Sequence, residues 1–167
     1  MEVTIITTGG TIDKLYFDDK SEYQIGDPQV VEVLKTANVS IETDVVPLFK
    51  KDSLHLTDRD RRRIRKTVAE VDGKRVVITH GTDTMIETAK TLLDIPGKTI
   101  VLTGSMQPAR FRLTDAIFNV ACALTAVQLL PAGVYIAMNG RIFDPRRARK
   151  NPKRNRFESL PAKTKTL

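Results

Sequence analysis

At 167 residues the chain has the length of one domain, and 41% hydrophobic against 28% charged residues is the balance of a globular protein. No apolar run approaches the length that spans a bilayer, which excludes a transmembrane segment, and Met1-Glu2-Val3 lacks the basic start of a secretory leader, so a cytoplasmic setting is expected. The single cysteine, Cys122, excludes an internal disulfide and, beside Val120, Ala121 and Ala123, reads as a buried core thiol.

The net charge of +7 is concentrated in Arg61-Arg62-Arg63-Ile64-Arg65-Lys66 and between Arg141 and Arg156. The first cluster falls on a helical pattern whose apolar stripe is only Ile64, Val68 and Val71, so its arginines read as a solvated face. The second lacks the aromatic residues on which single-strand binders stack bases. A nucleic-acid partner is therefore not expected.

In chain order, Val3-Thr4-Ile5-Ile6 reads as a short strand, running into Thr7-Thr8-Gly9-Gly10-Thr11-Ile12-Asp13. Two glycines before Thr11 permit a tight turn with close backbone approach. Residues 13–28 mix polar and aromatic side chains too irregularly for a helix and predict a flexible flap hairpin or lid. A helix is expected near Gln29 to Lys35, with Val30, Val33 and Leu34 inward, then a strand from Ile41 to Leu48. Thr57 reads as the N-cap of a helix reaching about Val71, with Asp58 and Asp60 in its acidic first turn.

The strand around Val76 ends in Thr79-His80-Gly81-Thr82-Asp83-Thr84, where a helical pattern to about Asp94 begins. Lys98 to Leu102 predicts the next strand, emptying into Thr103-Gly104-Ser105-Met106-Gln107-Pro108. A helix over about 114–130 is assigned Ile117, Ala121, Leu124 and Val127 as its inner face. Val134 to Met138 is a strand, and Asn139-Gly140 turns it back into Arg141-Ile142-Phe143. The basic tail, about 144–167, carries Pro145, Pro152 and Pro161 and no evident element. Alternating strands and helices predict an α/β fold: a doubly wound, mostly parallel sheet of flavodoxin or Rossmann type, in a single domain over 1–167 with an N-terminal flap hairpin.

Polar turns that follow parallel strands line the crevice where such sheets bind ligands. Acyl transfer needs a nucleophile, a proton acceptor and oxyanion donors. Thr11 and Thr82 supply hydroxyls, Asp83 a carboxylate and Lys150 an amine. His80 invites the role of general base, but a histidine at a strand end beside glycine is more often structural. His55 and His80 are the only histidines and no ligand cluster accompanies them, so no metal is expected. The glycine turns match neither a P-loop nor a dinucleotide fingerprint, so no cofactor is expected. Residue spacing by itself reaches a ligand site on an open α/β sheet and stops there.

Thr8-Gly9-Gly10-Thr11-Ile12 and His80-Gly81-Thr82-Asp83-Thr84-Met85 resemble the two signatures of the bacterial-type L-asparaginase family. The similarity runs across nearly the whole chain: Ser21 to Gly26 is similar to the end of the family's flap, Asp52-Ser53 to its substrate loop, and Asp144 to Asn151 to the segment carrying its lysine. The resemblance implies hydrolysis of L-asparagine to L-aspartate and ammonia through an acyl-threonine, with glutamine as a minor substrate. It makes Thr11 the nucleophile, Tyr23 the flap residue that helps activate it (with Tyr16 as rival), and Thr82, Asp83 and Lys150 a second activating set. Ser53 and Asp83 would hold the amino-acid backbone of the substrate, with Gly10, Asp52, Gly81 and Ser105 close by.

The resemblance further implies a homo-oligomer, dimer or tetramer, and a carboxy-terminal domain beyond this one; a chain ending at Leu167 reads as a short-chain member or an excised domain. The arginines around Lys150 are expected to stand in for some of that domain's contacts by attracting the substrate carboxylate. Two other readings stay open: the amide-hydrolysing component of a tRNA-dependent amidotransferase, and a non-catalytic amino-acid-binding module.

Overall fold

Apolar side chains on both faces of a strand require cover on both sides, and the central strands of this chain have them. The computed structural model describes residues 1–17 and 22–161, with Tyr16, Phe17 and Glu22 described by backbone alone. Strand β1 (Glu2–Gly9) sends Val3 and Ile5 to one face and Ile6 to the other, all fully buried. Two short strands, β2 (Lys14–Phe17) and β3 (Glu22–Ile25), pair antiparallel as the flap hairpin, and helix α1 (Val30–Thr36) follows. Next come β4 (Glu42–Lys51), α2 (Asp58–Glu70), β5 (Arg75–Thr79), α3 (Met85–Lys90) and β6 (Thr99–Thr103). The chain continues through α4 (Ala116–Leu129), β7 (Gly133–Met138) and β8 (Arg141–Phe143), then β9 (Ala148–Asn151) and β10 (Arg156–Ser159).

The central sheet has the order β4-β1-β5-β6-β7-β8; every pairing is parallel except β7 with β8, which the Asn139-Gly140 turn joins antiparallel. α1 and α4 pack on one face with Val3, Ile5, Val77 and Val101, while α2 and α3 pack on the other with Ile6, Ile78, Ile100 and Leu102. This is the doubly wound sheet that alternating elements predict. The connection leaving β1 reaches β4 on one side, and the chain then returns to β5 on the other, so the switch point lies between the ends of β1 and β5. Thr7, Thr79 and Thr103 are register partners, which sets the ends of β1, β5 and β6 level.

α2 starts as expected: the Thr57 hydroxyl accepts the Asp60 N–H and the Asp60 carboxylate accepts the Thr57 N–H, a reciprocal cap. α3 stops at Lys90, short of the expected Asp94, where the chain tightens into turns: the Thr91, Leu92 and Ile95 N–H groups bond three residues back to the Thr88, Ala89 and Leu92 carbonyls, and Arg65 takes the Thr91 carbonyl at 2.8 Å.

α4 is turned relative to the face assigned from sequence. Ala116, Val120, Ala123, Leu124 and Val127 point inward, whereas Ile117 and Ala121 point outward. Buried Asn119 sets this phase: its amide donates to the Gly104 carbonyl and to Asp115, and its oxygen accepts the Asn139 N–H. Cys122 is consequently half-buried rather than in the core. The tail is also different from expectation. β9 and β10 form an antiparallel hairpin whose Phe157 is buried against Phe143, ring centres 6.2 Å apart.

Candidate active site

The site is built where β1, β5 and β6 end. Gly10, at φ 94°, lets the chain leave β1 in a three-residue turn, Thr11–Asp13, and a Cβ there would overlap the backbone N and Cα of Gly81. A Cβ at Gly81 would overlap the side chain of Ser53. Close approach therefore joins Gly10, Gly81 and Ser53, three positions singled out from sequence, at the switch point. Thr11 follows Gly10 directly and is partly buried. Ser53 is buried, its hydroxyl makes no hydrogen bond among the described residues, and its carbonyl accepts the Thr84 hydroxyl at 2.8 Å.

Asp52 has a different occupation. One carboxylate oxygen caps the short turn Ser53–His55 by accepting the Leu54 N–H, and the other pairs with Lys14 of the flap at 3.0 Å. Burial works against its ionised form, but those two partners together hold its carboxyl below the usual range. Ser105 is buried after β6, donating to the Gln107 carbonyl, and the Asp115 carboxylate organises the same loop through the N–H groups of Met106 and Gln107. Tyr23 lies on β3 opposite Tyr16 and is about half exposed, its ring 6.4 Å from that of Phe111. The Tyr16 side chain and Ser21 lie outside the described residues.

His80 is a structural residue by its surroundings. It is fully buried, its Nδ1 lies 2.7 Å from the Gly81 carbonyl and its Nε2 2.9 Å from the Thr88 hydroxyl. The carbonyl can only accept, so Nδ1 carries the proton and Nε2 accepts from Thr88. Burial pushes its pKa down to about 4; the Gly81 carbonyl opposes this and the nearby Arg61 charge adds to it. A neutral ring with both nitrogens occupied holds the turn rather than moving protons.

The decisive geometry lies just beyond it. Lys150 Nζ donates to Thr82 Oγ1 at 2.7 Å and to Asp83 Oδ1 at 2.6 Å, bringing together residues 67 and 68 positions apart. Thr82 is buried, while the Asp83 side chain keeps 45% of its exposure and faces solvent at the rim. Lys150 reaches this point because its register partner Phe157 anchors the β9–β10 hairpin in the core. Asn139 accepts the Phe157 N–H at 2.8 Å and is itself held by Asn119.

Glu158 gathers Asn151, Arg149, Arg156 and Arg154 around one carboxylate, and the first three hold it down at about 2. Three of the arginines expected to serve the substrate are thus paired within the hairpin. Asn119 and Glu158 had no recognisable signal in the sequence, and Asn139 was legible only as a turn residue, since each acts here through tertiary partners.

Among the described residues no group of three or more His, Cys, Asp or Glu is placed to hold a metal, and no helix is long and apolar enough to cross a membrane. The sequence matches the asparaginase N-terminal domain over residues 2–164. The chain belongs to the asparaginase family. An L-asparaginase of Bacillus licheniformis is 33% identical over 161 residues, covering 89% of this chain and 49% of that protein. A glutamyl-tRNA(Gln) amidotransferase component of Saccharolobus islandicus is 31% identical, covering 79% of this chain and 32% of its own length. The solved thermostable L-asparaginase of Thermococcus kodakarensis superposes with a TM-score of 0.84 at 28% identity, over 95% of this chain and 51% of the other. The chain thus spans about half the length of the asparaginases it matches.

Proposed function

We propose that the protein is an amidohydrolase that converts L-asparagine to L-aspartate and ammonia through an acyl-threonine on Thr11. The observation that carries the reading is the Lys150–Thr82–Asp83 triangle at the end of β5, beside the Gly10–Gly81 contact that delivers Thr11. The Thr11 oxygen forms a bond to the carboxamide carbon and loses its proton towards this set. Collapse of the tetrahedral adduct breaks the C–N bond, and the leaving nitrogen takes a proton to depart as ammonia. Water then adds to the acyl ester, releasing aspartate and restoring the hydroxyl. Thr82 takes the Thr11 proton as its own hydrogen passes to the Lys150 nitrogen, which acts as the amine at that step, so the 2.7 Å contact between them carries the proton onward.

The hydroxyl of Ser53, without a hydrogen bond among the described residues, and the exposed side of Asp83 suit the substrate's carboxylate and ammonium. Gly10, Gly81, Asp52 and Ser105 shape the floor, and Tyr23 comes from the flap. The reading includes glutamine as a slower substrate and a homo-oligomeric assembly, which sedimentation equilibrium checks directly. An ammonia-release assay with asparagine and glutamine tests the activity, and Thr11→Ala tests its chemistry. That hydroxyl adds little packing but carries the covalent bond, so the variant should fold with an unchanged melting temperature and have no turnover. Turnover at the wild-type rate by folded Thr11→Ala would remove Thr11 from the mechanism.

Similarity to the amidotransferase component favours one second reading, in which the released ammonia serves a tRNA-dependent reaction. Sub-micromolar RNA binding that weakens steeply with salt, together with poor asparagine turnover, would favour it.

A further inference from the structure

Asp13 closes the three-residue turn that Thr11 opens, and it uses each of its polar parts to tie that turn to something else. Its backbone N–H donates to the Gly10 carbonyl at 3.1 Å, which completes the turn. Its carbonyl accepts the Gly26 N–H at 2.8 Å, which closes the base of the flap hairpin. Its carboxylate oxygen Oδ1 accepts the N–H of Gln29 at 2.8 Å, the residue through which the flap leads into α1. The flap leaves the turn at Lys14 and returns through Gly26 to Gln29, so Asp13 holds both of its ends.

The residue is 1% exposed, and desolvation pushes its carboxyl up to about 6, with the Gln29 N–H working in the opposite direction. A carboxyl sits here despite that burial, with a backbone donor as its partner. The surroundings brace the same hinge. The Ile12 carbonyl accepts the Ala109 N–H at 3.1 Å, Arg110 Nε donates to the Gln29 side chain at 2.9 Å, and Lys14 pairs with Asp52. The turn carrying Thr11, the flap and the substrate loop are thereby linked through Asp13 and its two sequence neighbours.

We propose that Asp13 is a positioning residue, which by fixing Gly26 and Gln29 to the Thr11 turn holds the Thr11 hydroxyl in its place. The proposal rests on the reading of Thr11 as the acyl-accepting group. Loss of the Gln29 anchor leaves that N–H without its acceptor and frees the flap's exit, while β1, β5 and β6 stay paired. Displacement of the turn that carries a reacting group lowers the rate of the bond-making step more than it weakens substrate docking.

Amide hydrogen exchange on the wild type, Asp13→Asn and Asp13→Ala reads the clamp without requiring turnover. Asn retains an acceptor oxygen and should keep exchange over residues 23–30 within about threefold of wild type, whereas Ala should accelerate it about tenfold or more with β5 and β6 unchanged. Gln29→Pro is a second route should Ala unfold the whole domain: it deletes the donor at a φ of −75°, which proline accepts. It should loosen residues 23–27 in the same way. With asparagine, Asp13→Ala should lose about tenfold or more in kcat with KM within about threefold, and Asp13→Asn should retain most of the rate. Wild-type protection over residues 23–27 in Gln29→Pro, or over 23–30 in a folded Asp13→Ala, overturns the proposal. Failure of the wild type to hydrolyse asparagine or glutamine overturns the Thr11 reading instead, and the exchange experiment still decides whether Asp13 clamps the flap.

Discussion

Lys150 donates to a hydroxyl and a carboxylate at once, and both acceptors belong to the turn after β5. On the proposed mechanism the Lys150 nitrogen, bonded to both Thr82 and Asp83, sits where protons must move when Thr11 or water attacks. On the same reading Ser53 and the open side of Asp83, rather than Lys150, meet the substrate's amino-acid end. Lys150→Met keeps an aliphatic stem opposite Phe157 but removes the donor. In an ammonia-release assay it should lose about a hundredfold or more in kcat with a change in KM of only a few-fold. A rise in KM with kcat intact would make Lys150 a docking residue and dismantle the second activating set. The neighbouring Arg149 and Asn151 are already engaged by Glu158, so neither is free to replace the lost ammonium.

α4 shows how an element's place in the fold separates from its pattern. Its sequence is apolar nearly all the way round, so spacing could not choose between the Ile117 face and the Val120 face. The choice was made by Asn119, whose buried hydrogen bonds to Gly104, Asp115 and Asn139 outweigh leaving Ile117 about half exposed. Val120→Ala should therefore destabilise the protein by about 1–3 kcal/mol in urea unfolding, while Ile117→Ala should stay within about 0.5 kcal/mol. The reverse ranking would mean that the helix is rotated from the orientation described.

The same contrast explains what could be read in advance elsewhere. The turns at Gly10–Thr11 and His80–Asp83 were legible because strand-like runs give way abruptly to glycine and hydroxyl residues, and α2 was legible from Thr57 and Asp60. The β9–β10 hairpin was not, since Phe157 is a lone apolar residue among arginines and prolines, and its anchor, Asn139, lies in another turn. Asp13 read as the start of a flap, because its three bonds exist only once Gly10, Gly26 and Gln29 are assembled.

Summed over the molecule, two buried titrations next to the same switch point oppose one another. Asp13 has its folded pKa raised from 3.8 to about 6, so its contribution to stability is present below about pH 4 and is lost as pH rises through 6. His80 has its folded pKa lowered from 6.5 to about 4, so its contribution is present above about pH 6.5 and is lost as pH falls through 4. Each amounts to on the order of 3 kcal/mol, with opposite slope across nearly the same window. Wild-type unfolding free energy should accordingly change little between pH 6.5 and 4 on their account. Asp13→Asn removes one of the two slopes and retains the acceptor for Gln29. That variant should be more stable than wild type at pH 7 by up to about 3 kcal/mol, and the advantage should shrink towards zero by about pH 4. Its own stability should fall steadily on acidification as the unfolded chain protonates His80. Urea unfolding at half-unit pH intervals gives both curves, and parallel curves for wild type and Asp13→Asn would show that Asp13 does not titrate in this window.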